Sequence, residues 1–142
     1  MKEISYGVCF YKIEKNRIFI FLNKTNKISD WNFFKGKQEE NELKVDTVIR
    51  ETKEETGIDI TENMFEDYFY VINKRKNIGI YLIDYNHINF KQLKLQKKEI
   101  YTATWLNIYY NIKMSKNQKE LFFKISSRLI EKRKWFKIIN IR

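Results

Sequence analysis

Apolar positions follow two rhythms along this chain. Within Ile4 to Ile13 the residues Ile4, Tyr6, Val8 and Phe10 occupy every second position, and Arg17 to Leu22 is a run rich in β-branched and aromatic residues. A period of two marks strands with one face turned inward, and Asn16 supplies the turn that pairs them. Trp31 to Phe34 reads as a short strand after the polar stretch Asn23 to Asp30, and Tyr68 to Ile72, Ile78 to Tyr85 and Ile100 to Leu106 read as three more. The rhythm changes over Leu43 to Thr56, where Val45, Val48, Ile49 and Thr52 recur at i, i+3, i+4 and i+7, the stripe of an amphipathic helix with Gly57 placed as its C-terminal cap. Leu121, Phe122, Ile125, Leu129 and Ile130 predict a second helix from Asn117 to about Lys134.

Strands interrupted by one helix and closed by another predict an α/β (α+β) domain, a mixed sheet sandwiched between helices. The 142 residues fit one such domain, with 43% hydrophobic and 16% aromatic residues to fill its core. No repeat, low-complexity tract or linker divides residues 1–142.

Composition narrows the setting. Cys9 is the one cysteine and lies in an apolar strand, so no internal disulfide can form and a reducing, cytoplasmic compartment is expected. No apolar run approaches the ~18 residues of a membrane span, and Met1 to Ile4 does not open a signal peptide, so the expectation is a soluble, untargeted protein with no membrane partner. Lys and Arg outnumber Asp and Glu by 28 to 18, and a net charge of +10 favours polyanionic partners such as nucleic acid. Proline is absent while Lys, Asn and Ile abound, as in proteins from AT-rich genomes, so part of the basicity reflects codon bias.

Against that basic background one acidic cluster stands out. On the first helix Glu51, Glu54 and Glu55 stand at i, i+3 and i+4, so three carboxylates leave one patch of surface on consecutive turns. Like charges so placed repel, and the last helical turn disfavours anions. A solvated face paired with Arg50 and Lys53 is the plain alternative; a divalent cation with oxygen ligands is what turns the repulsion into binding.

The stretch Gly36, Glu42, then Arg50-Glu51-Thr52-Lys53-Glu54-Glu55-Thr56-Gly57-Ile58 resembles the signature of the Nudix hydrolases, with Thr52 at an aliphatic position and Phe34 where many relatives carry proline. The resemblance implies a loop-helix-loop in which Glu51, Glu54, Glu55 and the Gly36 carbonyl bind Mg²⁺ or Mn²⁺ against a substrate diphosphate. It further implies that Arg50 orients a neighbouring glutamate, that Glu42 supports the loop, and that Glu54 contacts the attacking water. Phosphoanhydride hydrolysis needs this combination of charge neutralisation and an activated water.

Outside that signature, Trp31-Asn32-Phe33-Phe34-Lys35-Gly36-Lys37 and Lys97-Lys98-Glu99-Ile100 before Trp105-Leu106 are similar to the catalytic domain of mRNA-decapping Nudix enzymes. Diadenosine tetraphosphate hydrolases share the Lys-Gly pair. The likeness implies that Glu99 binds metal or acts as base from a loop facing the helix, with Lys35 and Lys37 beside the substrate phosphates. Trp31 and Trp105 are read as scaffold. Basic segments at Lys74 to Lys76, Lys94 to Lys98 and Lys132 to Lys137, the last interleaved with Trp135 and Phe136, suit a long polyanion. The leading expectation is therefore hydrolysis of the 5′ cap of mRNA to 5′-monophosphate RNA. Diadenosine polyphosphates, diphosphoinositol polyphosphates and nucleoside triphosphates stand as other substrates, and a non-catalytic RNA-binding module is set aside because the signature is intact. Cellular decapping enzymes carry a helical regulatory domain before the first strand, which this chain does not show; cap recognition is then expected within the domain or through a partner.

Overall fold

A computed structural model describes residues 2–141, with side chains as far as Lys137. Strand β1 (Glu3–Glu14) turns into β2 (Arg17–Lys24) through Lys15 and Asn16, whose φ angles of 49° and 66° make the left-handed two-residue turn that suits a twisted hairpin. The pair is in register only over Tyr11 to Glu14 of β1. Over Ser5 to Val8 the same edge of β1 is taken by β3 (Phe34–Lys37), while its other edge runs parallel to β5 (Lys76–Asp84) from Glu3 to Tyr11. Strand β4 (Asp67–Ile72) borders β5 and β6 (Thr102–Asn107) borders β2, giving the order β4-β5-β1-β2-β6 with β3 set against β1.

Helix α1 (Lys44–Thr56) covers one face of this sheet and α2 (Lys116–Ile141) the other, each over its own hydrophobic layer. Strand alternation feeds both layers: Val8 and Phe10 point to the α1 side, Cys9 and Tyr11 to the α2 side. Burial holds the Cys9 thiol well above its usual range, so it stays an inert packed group. Leu121, Ile125 and Leu129 of α2 are fully buried at 0% exposure. Replacing Leu121 by Ala should cost about 3 kcal/mol through lost contacts and a residual cavity, read as a lower urea midpoint.

Two expected strands lie elsewhere than the pattern placed them. Trp31 to Phe33 precede the ladder because tertiary partners take their backbone donors: Trp31 N–H donates to the Lys113 carbonyl (2.8 Å) and Phe33 N–H to Gln118 Oε1 (2.8 Å). Asn32 instead forms an isolated bridge to Asn23, so the strand begins at Phe34. Ile100 follows a turn, its N–H bonded to the Gln96 carbonyl, and the last strand starts at Thr102. Arg142 of the basic tail lies outside the described residues. Among those described, no helix is long and apolar enough to cross a membrane.

Candidate active site

The helix α1 begins on a side-chain contact and ends on the glycine cap expected from its sequence. The Asp46 carboxylate accepts from the Leu43 N–H (3.1 Å), and Gly57 at φ 75° returns its N–H to the Lys53 carbonyl (2.9 Å). Between them Arg50 gathers the loop that leads in from β3. Its Nε and Nη2 donate to the two oxygens of Glu42 at 2.7 and 2.9 Å, and Nη2 also reaches the Lys37 carbonyl at 3.0 Å. Glu42 additionally accepts from Thr47 Oγ1 and from the Glu39 N–H, each at 2.9 Å. With Arg50 as the first cause, its carboxyl is pushed down to about 2.

The remaining guanidinium nitrogen, Nη1, donates to Glu51 Oε1 at 2.7 Å and reaches Glu54 Oε2 at 3.5 Å. Glu51 thereby lies against Gly36, where an added Cβ would stand 1.9 Å from its carboxyl carbon. Only glycine leaves room for that approach. Burial raises the Glu51 carboxyl, Arg50 lowers it, and Glu54 and Glu99 raise it again, which puts the loop glutamate within electrostatic reach of the helix.

Glu55 is the most buried of these acids at 6% exposure, and its Oε1 has no hydrogen-bond partner. Desolvation, then Glu51 and Glu99, push its carboxyl up to about 8, against a smaller lowering by Lys35. Because the folded value lies above the unfolded one, the fold is fully favoured below the unfolded value and loses that contribution as pH climbs to about 8. In metal-free buffer the melting temperature should therefore fall between pH 5 and 8, and Glu55→Gln should flatten most of that fall.

Glu99 reaches this centre through the connection that follows the strands. The Lys94 and Gln96 N–H groups donate to the Thr56 and Glu55 carbonyls (2.8 and 3.1 Å), strapping the connection to the last turn of α1. The turn that follows brings Glu99, Lys98 and Ile100 to a cavity of about 470 Å³ that Glu55, Lys35 and Asn23 also line. Of the two lysines that flank Gly36, Lys35 lines this cavity; burial, then Lys76, lowers its ammonium. Lys37 sits elsewhere, with its ammonium 3.7 Å from Glu3 on a different wall, drawn there by that carboxylate. Asn23 and Lys98 also belong to the cavity; Lys98 falls in the basic segment Lys94 to Lys98, and no sequence pattern marks Asn23.

These groups fit a divalent cation in kind: the candidate donors are oxygens, one buried carboxylate oxygen is orphaned, and Gly36 carries no Cβ to push Glu51 away. Among the described residues no three acidic, histidine or cysteine side chains are already drawn into coordinating geometry. Arg50 holds Glu51 and Glu54 toward itself, and mutual repulsion spreads carboxylates that share a patch.

The remaining expectations sort by contact. Trp105 packs with Phe21 and Phe90, with the Lys12 ammonium 4.6 Å from its ring centre, and Trp31 lies under Lys24, both as scaffold. On α2, Arg128 pairs with Asp67 and Lys132 with Glu66 (2.7 Å), so part of its basic face is spent on binding β4. Lys134 and Lys137 remain exposed.

A sequence model of the NUDIX domain matches residues 1–123. Subunit 2 of the mRNA decapping complex of Schizosaccharomyces pombe is 31% identical over 118 residues, 80% of this chain and 16% of that protein, so the chain spans about one sixth of the relative it matches. Among solved structures, the chain is similar to a C. elegans Ap4A hydrolase in a binary complex (TM-score 0.65, 21% identity, 91% of this chain and 98% of that one). A NUDIX hydrolase of Listeria monocytogenes has the same fold (TM-score 0.68, 18% identity, 92% and 96%), as does a MutT from a study of Aliivibrio salmonicida and Vibrio cholerae (TM-score 0.64, 18%, 87% and 94%).

Proposed function

This chain belongs to the Nudix hydrolase family, and we propose that it hydrolyses the 5′ cap of RNA, leaving a 5′-monophosphate on the transcript. What carries the cap reading is the 31% identity to the decapping subunit over 118 residues. The placement of Glu99 and Lys35 on one cavity with Glu55 supports it. Residues 1–142 act in this reading as a single Nudix domain, and the buried thiol of Cys9 suits a reducing cytoplasm.

Glu51, Glu55 and the Gly36 carbonyl, with Glu54 and Glu99 beside them, are the groups that would hold Mg²⁺ or Mn²⁺. Such an ion supplies neutralisation of the diphosphate oxygens and a water acidic enough to attack at neutral pH. Arg50 keeps Glu51 turned onto Gly36, so that one donor is in place before substrate arrives. Glu54, whose side chain is 52% exposed and held by Arg50 only at 3.5 Å, is free to accept the proton of the attacking water. Lys35 meets the charge that builds on the leaving phosphate, and Glu99 closes the centre from the opposite wall. Lys37 contributes through its carbonyl, which fixes Arg50.

The test is a side-by-side assay with Mg²⁺ on cap-labelled RNA, diadenosine tetraphosphate, a diphosphoinositol polyphosphate and a nucleoside triphosphate. Release of methylated guanosine diphosphate from RNA, at a kcat/KM above that of every small substrate, is the expected result. Efficient turnover of a small substrate with intact cap would overturn the cap reading.

A further inference from the structure

The segment that carries Glu99 meets the end of α1, and the residues just after it, at three successive places. A one-turn 3₁₀ helix, Phe90–Gln92, opens the segment. The Phe90 ring stands edge-on to Phe21 (centres 5.3 Å apart) and tilted against Trp105 (5.6 Å), which seats this start on the α1-side core. From there the chain runs antiparallel to the helix end: Gln92 meets Asp59, the Lys94 N–H donates to the Thr56 carbonyl (2.8 Å), and the Gln96 N–H to the Glu55 carbonyl (3.1 Å). Gly57 permits the close passage, since a Cβ there would stand 2.9 Å from the Gln92 carbonyl oxygen. Shortly beyond the last of these bonds, Glu99 joins Glu55 at one cavity.

The three meetings differ in kind. Lys94 and Gln96 use main-chain N–H groups, which every residue but proline carries. Leu93 and Leu95, at the alternate positions, are both partly buried against the α1-side core. A slip of the segment by two residues would therefore exchange N–H for N–H and leucine for leucine, while carrying Glu99 about 7 Å along its path. Of the three, the Gln92 contact is the one that such a slip cannot reproduce. Its Oε1 accepts from the Asp59 N–H (3.0 Å) and its Nε2 donates to Asp59 Oδ2 (3.1 Å). This reciprocal pair needs a donor and an acceptor on one side chain, and neither Phe90 nor Lys94, the residues two positions away, carries both.

We infer that Gln92 and Asp59 are positioning residues of this hydrolase: they form a side-chain lock that sets the register of the segment from Phe90 to Ile100 against the end of α1, and with it the place of Glu99 beside Glu55. The lock rests on the reading of Glu99 as a group of the catalytic centre. Neither Gln92 nor Asp59 lines the cavity, so both act through the glutamate and not on substrate. Their contact is solvent-exposed, and breaking it changes where Glu99 sits while leaving the fold as a whole in place.

Gln92→Ala should lower kcat by about five- to tenfold with KM within about twofold of the parent, the pattern of a misplaced catalytic group. In a Glu99→Gln background the same substitution should change kcat by less than about twofold, because the group it positions is gone. Gln92→Glu should behave as Gln92→Ala does, and adding Asp59→Asn should recover at least half of the parental kcat, since that double variant keeps both contacts with the side-chain donor and acceptor exchanged. Losing the exposed Lys53–Asp59 ion pair (3.1 Å) in it costs little. Hydrogen exchange reads the lock without substrate or metal: the Lys94 and Gln96 amides should exchange at least tenfold faster in Gln92→Ala and return to the parental rate in Gln92→Glu/Asp59→Asn. Unchanged exchange, parental kcat in Gln92→Ala, an equal loss in the Glu99→Gln background, or no recovery in the double variant would overturn the lock. The kinetics use whichever substrate of the side-by-side assay is turned over, so a failed cap reading leaves the test standing. Parental activity in Glu99→Gln would overturn the role of the lock together with that of Glu99.

Discussion

Glu54→Gln should fold as the parent does and lose roughly 10²–10⁴-fold in kcat, the range typical of removing a positioned general base. The substitution keeps size and shape and touches little else. Among the helix carboxylates that Arg50 gathers, Glu54 is held more weakly than Glu51, at 3.5 Å against 2.7 Å, and half of its side chain faces solvent. Its loss should therefore shift the urea midpoint by no more than an ordinary surface change, about 0.5 kcal/mol. Glu51 and Glu55 are poor alternatives for the base. One is fixed by Arg50 over Gly36, and the other is almost wholly buried at 6% exposure. The measurement is single-turnover hydrolysis across pH for Glu54→Gln and Glu99→Gln. Activity of Glu54→Gln within threefold of the parent, together with loss of the acidic limb in Glu99→Gln, would move the role of base to the loop.

Gly36→Ala is expected to have the second large effect, for a steric reason. Its Cβ would fall 1.9 Å from the Glu51 carboxyl carbon and 2.2 and 2.3 Å from the two oxygens, well inside contact distance. Either Glu51 swings away and abandons its 2.7 Å bond to Arg50, or β3 lifts from α1. Both routes separate donors that must act together. Overpacking of this sort costs about 1–3 kcal/mol. The larger consequence should be functional: at least tenfold weaker Mn²⁺ binding by electron paramagnetic resonance, and a kcat lower by about 10²-fold, in line with a catalytic group displaced by an ångström. Unchanged Mn²⁺ affinity would show that Gly36 and Glu51 need not be juxtaposed.

The two substitutions differ in how visible their targets were beforehand. The i, i+3, i+4 spacing alone placed Glu51, Glu54 and Glu55 on one patch of helix, and the repulsion it implied pointed to a cation. The family resemblance implied only that Arg50 orients a neighbouring glutamate; that its guanidinium stands 2.7 Å from both Glu42 and Glu51 is a matter of the folded loop. Lys37 shows where adjacency misleads. It sits two residues from Lys35, yet Glu3 takes its ammonium to another wall. Both lysines flank Gly36 in sequence, and partners remote in the chain decided which one faces the cavity. Glu99 is the converse case. Nothing local distinguishes a glutamate after two lysines, but the bonds from Lys94 and Gln96 to the end of α1 carry it to Glu55.

The strand ends follow the same division. Periodicity located every long element, because burial on one face of a strand or helix repeats over several residues and a single misfit does not erase it. It missed the start of β3 because Trp31 and Phe33 are as apolar as strand residues, while Lys113, Asn23 and Gln118 hold the backbone of this segment. By itself, then, the sequence determined the alternation, the Gly57 cap, the charge on one helix face and the family, all of which depend on residues close along the chain. Only the tertiary structure decided the approach of Glu51 to Gly36, the orphaned oxygen of Glu55, and the meeting of Glu99 with Glu55 at one cavity. Those depend on strand register and long-range hydrogen bonds, which join residues that no local pattern connects.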